Sequence, residues 1–137
     1  MADYVKPLPT ISAETKTYWD GCKARELRIP KCNQCKDLFF PPQGICPHCL
    51  SSDVAYQKAK GTGKIYSMSI VYQNRSPGFK DEVPYIIAYI ELDEGIQIFS
   101  NVIGAKDPTT VKVGDRVQVT FEDVTPEITL PKFAVAK

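Results

Sequence analysis

Long apolar runs are missing from this 137-residue chain: its longest uninterrupted apolar stretch is only a few residues, too short to cross a bilayer as a helix. The opening Met1-Ala2-Asp3-Tyr4-Val5-Lys6-Pro7 lacks the apolar centre of a secretory leader, so the expected location is the cytoplasm, without membrane attachment. Excess charge of one sign is missing too. With 17 Lys and Arg against 16 Asp and Glu, the formal charge of +1 gives no overall pull towards nucleic acid or anionic lipid, and no strongly basic tail is present. Histidine and tryptophan occur once each. No G-x-S-x-G, G-x-G-x-x-G or phosphate loop occurs, which argues against a self-sufficient hydrolase, dehydrogenase or kinase, and no catalytic residue is assigned.

Cysteine is what the chain does have. Five thiols without an export signal are expected to stay reduced, and an odd number cannot all pair. Four of them form two C-x-x-C pairs, Cys32-Asn33-Gln34-Cys35 and Cys46-Pro47-His48-Cys49, with Lys36 to Ile45 between. Each short loop aims two sulfurs and neighbouring backbone amides at one point, and two such knuckles complete a tetrahedral thiolate set. The ligands are therefore read as Cys32, Cys35, Cys46 and Cys49, and the cofactor as Zn2+, with iron or an iron–sulfur cluster as alternatives on the same ligands. Four protein ligands leave no position for water, so the metal is structural. A thioredoxin-type reading needs a βαβ context that is absent here. His48 is read as a solvent-facing knuckle residue and Cys22 as a small buried apolar side chain.

The chain changes character after Lys60. Residues 1–60 hold every cysteine, with 9 basic and 6 acidic side chains, whereas the remainder has 8 basic and 10 acidic. A segment near 60 residues buries only about 60% of its unfolded surface, so metal would serve as its staple. Lys6-Pro7-Leu8-Pro9 suggests an extended arm. Thr10 and Ser12 offer N-cap oxygens for a helix over residues 12–24, whose stripe is Ile11, Thr15, Tyr18 and Cys22 with Trp19 beside it.

From Gly61 the period becomes two. Five strands are predicted at about Lys64–Gln73, Tyr85–Asp93, Ile96–Val102, Arg116–Glu122 and Lys132–Ala136. Asp93-Glu94-Gly95 reads as a hairpin turn, Val113-Gly114-Asp115 as a second turn, and Asn74 to Pro84 as a long loop. The expected fold is mainly β: an N-terminal arm and helix (1–28), a rubredoxin-like zinc ribbon (29–60) and a five-stranded OB-fold barrel (61–137), with an SH3-like barrel as the alternative for the last. The first strand puts Tyr66, Met68, Ile70 and Tyr72 on one face. The second puts Ile86, Ala88, Ile90 and Leu92 on one face and Tyr85, Ile87 and Tyr89 on the other, so one apolar face needs a cover from the first region, a ligand or a partner. Glu91, Asp93 and Glu94 read as solvated hairpin charge, and Gly61-Thr62-Gly63-Lys64 as a flexible joint, since it opens a strand and not the helix a phosphate loop requires.

Taken in order, several stretches resemble a known family. They are Tyr18-Trp19-Asp20-Gly21, the two knuckles, Phe40-Pro41-Pro42, Gly61 to Ser67, Pro84 to Gly95, Val113-Gly114-Asp115 and Leu130-Pro131-Lys132-Phe133. The sequence is similar to the two-domain zinc-ribbon and OB-fold proteins associated with acyl-CoA enzymes. The resemblance implies a non-catalytic accessory subunit of a thiolase-superfamily enzyme that makes or cleaves carbon–carbon bonds. It also implies a hetero-oligomer of two plus two copies, with an acyl-CoA thioester as shared substrate. Ribbon and helix would contact the enzyme while the barrel shapes the acyl-CoA site. Where the family often has Arg this chain has Gln43, and where it often has Gly after each knuckle it has Lys36 and Leu50, which asks those two residues to accept positive φ.

Trp19, Phe40, Pro41, Pro42, Tyr66, Tyr72, Phe79, Tyr85, Tyr89 and Phe133 would then divide among barrel core, joint and enzyme-facing patch. Candidate contacts to partner or acyl-CoA are Trp19, Phe40, Pro41, Pro42, Arg75, Phe79, Lys80 and Tyr85. Among them Phe79 is singled out as a loop-tip aromatic, and Arg75 and Lys80 as groups able to meet a CoA phosphate. The alternative from a different class is single-stranded nucleic-acid binding, which both modules perform elsewhere by stacking bases in a basic groove. The acidic barrel half argues against it, because Glu91, Asp93 and Glu94 repel phosphate.

Overall fold

The computed structural model describes residues 5–136. An extended arm leads into one helix, α1 (Lys16–Lys23), shorter than the predicted 12–24. Thr15 stands at its N-cap without a side-chain cap, because its hydroxyl is spent on Ser12: it accepts from the Ser12 N–H at 3.0 Å. Ser12 and Thr10 therefore precede the helix and do not cap it. After α1 the chain reverses at Arg25, whose φ is 64°.

Two strands, β1 (Arg28–Cys32) and β2 (Val54–Lys58), pair antiparallel, and both knuckles lie between them in sequence. Five more follow: β3 (Thr62–Val71), β4 (Tyr85–Leu92), β5 (Gln97–Ile103), β6 (Arg116–Asp123) and β7 (Thr129–Val135). They close into a barrel in the order β3-β4-β5-β7-β6, with β6 returning to β3. All neighbours are antiparallel except β5 and β7, which run parallel through only two residue pairs. This is the five-stranded OB-type barrel expected from the strand count. Gly95, at φ 95°, makes the predicted β4–β5 hairpin, with the Leu92 N–H donating to the Ile96 carbonyl at 2.8 Å.

Alternation in β4 reads directly into burial: Ile86, Ala88, Ile90 and Leu92 are all buried. In β3 it does not. A bulge between Ile65 and Ser67 shifts the register, so Ile65 is buried before it and Met68 and Ile70 pack on the core after it. The predicted shared face of Tyr66, Met68, Ile70 and Tyr72 is thereby split, because an extra residue inverts the two-residue period. Tyr66 stays 53% exposed, and Tyr72, beyond the strand end, 64%.

The stretch Gly61 to Lys64 is also not a flexible joint. Gly63 is paired on one side with Leu92 and on the other with Val117, and a Cβ there would lie 2.4 Å from the Glu91 carbonyl oxygen. The glycines are needed where the barrel seam draws three strands together. The hairpin carboxylates brace the same end. Asp93 receives a bidentate pair from Arg116 at 2.8 and 2.9 Å and a hydrogen bond from the Thr62 hydroxyl, while Glu94 accepts from the Lys60 N–H at 2.9 Å.

One apolar cluster joins the two halves. Tyr18, Cys22, Leu27, Ile29 and Ala59 pack with barrel residues such as Ile65, Ile90, Ile98, Val117 and Phe133. A smaller cluster holds Cys32, Phe39 and Cys46 with Cys35, Cys49 and Val54. Arg25 ties the halves from outside, its guanidinium donating to both Asp123 oxygens at 2.9 and 2.7 Å. No helix among the described residues is long and apolar enough to cross a membrane.

Candidate metal centre and groove

The first knuckle follows β1 and the second precedes β2, so pairing of the two strands brings the loops together. Within each knuckle the residue after the second cysteine folds back. The Lys36 N–H donates to the Cys32 carbonyl and the Leu50 N–H to the Cys46 carbonyl, both at 2.9 Å, with φ of 69° and 65°. These are the positions where missing glycines led to the expectation of positive φ. Amides also face sulfur: Cys35 N–H lies 3.4 Å from Cys32 Sγ, and His48 N–H 3.4 Å from Cys46 Sγ. Outside the loops, the Asn33 N–H and side-chain amide bind the Asp53 carbonyl and carboxylate at 2.9 and 3.0 Å.

The four sulfurs lie within 4.8 Å of one another, with Cys32 and Cys49 at 3.4 Å and Cys35 and Cys46 at 3.7 Å. A tetrahedral site with metal–sulfur bonds near 2.3 Å has sulfurs about 3.8 Å apart, so the donor set fits a thiolate-bound ion. The four cysteines are thus positioned to hold a metal. The Cys35 amide favours the thiolate of Cys32 and holds its pKa below the usual thiol range. For Cys35 and Cys49 the amides at Asp37 and Ser51 pull down, but burial and the crowded sulfurs push both thiols up. A cation at the centre reverses that crowding and deprotonates its ligands. His48 is exposed and lies outside this group of four. Cys22, on the buried face of α1, is fully buried in the main apolar cluster, and burial pushes its thiol up to about 12.

A groove of about 470 Å3 runs between the helix and ribbon on one side and β5 and β7 on the other. Trp19, Phe40, Pro41 and Pro42, which the sequence proposed as contacts, all line it. Tyr18 supports them from beneath, edge-on to Trp19 and Phe40 at 4.9 and 5.6 Å. A second hollow of about 270 Å3 gathers Phe79 and Tyr85 with Lys6, Asn101 and Lys132. Phe79 is not a free loop tip: the Lys6 ammonium sits 5.2 Å from its ring centre and the Tyr85 ring lies tilted against it at 5.9 Å. Arg75 and Lys80 are exposed on the same loop and line neither cavity. Phe133 is barrel core.

Sequence reasoning missed Phe99, Leu130 and Lys132 as groove residues, whereas Ile87 lies on the second β4 face that was expected to need a cover. Phe99 had a signal, since its parity in β5 is opposite to that of buried Ile98. It is 56% exposed and packs 5.1 Å from Tyr89 on the outer sheet face. Leu130 and Lys132 fall in the stretch Leu130-Pro131-Lys132-Phe133 that carries the resemblance, but nothing in their local pattern assigned their side chains to a groove.

Residues 19–55 match the family described as ChsH2, rubredoxin-like zinc ribbon domain, and residues 56–122 the family described as ChsH2, C-terminal OB-fold domain. A DUF35 domain-containing scaffold protein of Methanothermobacter thermautotrophicus is 37% identical over 116 residues, 83% of this chain and 86% of that one. A probable enoyl-CoA hydratase alpha subunit of Thermomonospora curvata is 36% identical over 96% of this chain, which spans only 40% of that subunit's length. The benzoylsuccinyl-CoA thiolase subunit BbsA of Thauera aromatica is 32% identical over 77% of this chain and 69% of its own. Among solved structures, a chain of the Ltp2-ChsH2(DUF35) aldolase superposes with a TM-score of 0.84 at 35% identity, covering 95% of this chain and all of that one. With its four clustered cysteines, its barrel topology and relatives of similar length, this chain belongs to the DUF35 family of ChsH2-type zinc-ribbon and OB-fold proteins.

Proposed function

We propose that this chain is a non-catalytic accessory subunit of a thiolase-superfamily enzyme, stabilising it and helping to form its acyl-CoA site for carbon–carbon bond formation or cleavage. The groove carries the reading. It is walled by aromatics and prolines, and its lining contains no carboxylate, histidine or cysteine, so it suits contact better than acid–base or nucleophilic work. The names of the relatives, subunits of a thiolase, a hydratase and an aldolase, point to acyl-CoA enzymes as the setting.

In this reading residues 29–60 form the ribbon, with Cys32, Cys35, Cys46 and Cys49 holding structural Zn2+. Residues 1–28 form the arm and helix, and 61–137 the barrel. Trp19, Phe40, Pro41 and Pro42 meet the enzyme through the groove, and Phe79 and Tyr85 extend the contact. Arg75 and Lys80, exposed beside them, approach the CoA phosphates. Nucleic acid is the weaker reading: the outer aromatics Tyr89 and Phe99 resemble a stacking platform, but Lys64 on that face is 3.7 Å from Glu91 and already paired.

The test is affinity capture of the tagged protein from its native lysate after nuclease treatment, with mass spectrometry at moderate salt. A thiolase-fold enzyme recovered in near-equal amount supports the reading. A hydratase without a thiolase fold replaces the partner class. Recovery of no protein partner, with nucleic acid bound in a parallel capture without nuclease and released by salt, overturns it.

A further inference from the structure

One segment serves both the metal centre and the groove. Lys36 to Ile45 leaves the first knuckle at Cys35 and enters the second at Cys46, and those two sulfurs lie 3.7 Å apart. Its middle is divided between two clusters. Phe39 is 3% exposed and packs with Cys32 and Cys46 in the small one. Phe40, the next residue, packs on the large one, meets Tyr18 edge-on at 5.6 Å, and with Pro41 and Pro42 lines the groove. The backbone ties both rings to the strand that carries the first ligand: the Cys32 N–H donates to the Asp37 carbonyl at 2.9 Å, and the Phe39 N–H to the Pro30 carbonyl at 3.1 Å.

Away from the cysteines, the segment is held by the half-buried Leu38 and Phe40 side chains and by an exposed hydrogen bond from the Gly44 N–H to the Glu14 carboxylate at 2.8 Å. Such contacts return less than the ordering of a whole loop costs, whereas an ion bound by four thiolates fixes both ends of the loop at once. We propose that filling of the four-cysteine site shapes the groove. With the segment pinned at Cys35 and Cys46 and Phe39 seated among the ligands, Phe40, Pro41 and Pro42 stand as a wall; without metal that wall gives way. The groove is then a binding surface only in the metal-loaded chain. This holds whatever fills the groove, so it succeeds or fails apart from the accessory-subunit reading.

Trp19, the single tryptophan, lines the groove beside this wall, and Tyr18 touches both its ring and that of Phe40. The full chain, stripped with a chelator, is titrated with Cd2+: the thiolate-to-metal absorption band follows filling, and acrylamide quenching of Trp19 follows the groove. Quenching should fall and the emission move to shorter wavelength in step with the band, all levelling at one equivalent. Hydrogen exchange on the stripped chain should find β4 still protected, so that the change is local to the groove. Phe40→Ala removes the ring on the groove side and spares the cluster around the ligands. It should bind the same single equivalent while Trp19 stays open to acrylamide from the first addition to the last. Wild-type quenching that ignores filling, a Trp19 response in Phe40→Ala as large as in the wild type, or loss of β4 protection on stripping overturns the proposal.

Discussion

Gly63 is squeezed between β4 and β6, and the atom nearest its missing Cβ is a backbone oxygen that cannot rotate away. Gly63→Ala should therefore lower the unfolding free energy by about 1–3 kcal/mol, read from urea denaturation; a change within error would mean that the seam parts freely. The cysteines make a sharper prediction. Cys32→Ser or Cys49→Ser should lose bound metal and lower solubility, while Cys22→Ser should keep a full equivalent, as measured by elemental analysis. Metal loss from the Cys22 variant would overturn the ligand set. At this scale the metal-binding pattern was legible because knuckle geometry is local: four residues determine where two sulfurs point. Gly63 was visible as a residue but not as a contact, since the Glu91 carbonyl lies 28 positions away in sequence and arrives only when the barrel closes.

Elements whose burial is decided on one strand were equally legible. Period-two reading found β4 and its buried face, because the extra residue of the β3–β4 bulge lies in β3 and the register of β4 against β5 is unbroken. It failed on β3, where one extra residue reverses inside and outside, and at the start of α1, where a local hydroxyl contact displaced the expected cap. The clasp between the turn after α1 and the end of β6 was invisible, since Arg25 and Asp123 lie 98 positions apart in sequence. The Arg25 guanidinium, and then the Thr129 hydroxyl at 2.6 Å, hold the Asp123 carboxyl down at about 2. A carboxylate with a lowered folded pKa contributes stability above its unfolded value of about 3.9 and loses it as pH falls towards about 2. The difference in melting temperature between wild type and Asp123→Asn should thus be constant above that window and shrink through it. A difference that persists below the window would assign the effect to packing. In the loop before β4, Phe79→Ala should weaken capture of the proposed enzyme partner while moving the melting temperature only slightly, because the ring is half-buried against Lys6 and Tyr85. A large fall in melting temperature would place it in the core.

For the molecule as a whole, the two apolar clusters set what metal removal can do. The small one contains the four cysteines, whereas the large one runs from Tyr18 through Ile29 into the barrel without them. Chelation should accordingly strip hydrogen-exchange protection from amides between Cys32 and Leu50 and leave β4 protected. Loss of both together would show that the barrel cannot stand without the ribbon. The parallel contact of β5 with β7 carries a last consequence. It is the barrel's shortest junction, two residue pairs long, and Ser100 and Asn101 on one lip and Leu130 to Lys132 on the other are also walls of the groove. Anything bound there bridges the lips and resists their parting, so occupancy and barrel closure share one free energy. The bound protein should melt higher, the rise growing with the logarithm of ligand concentration once that exceeds Kd, and its unbound form should breathe first along that line.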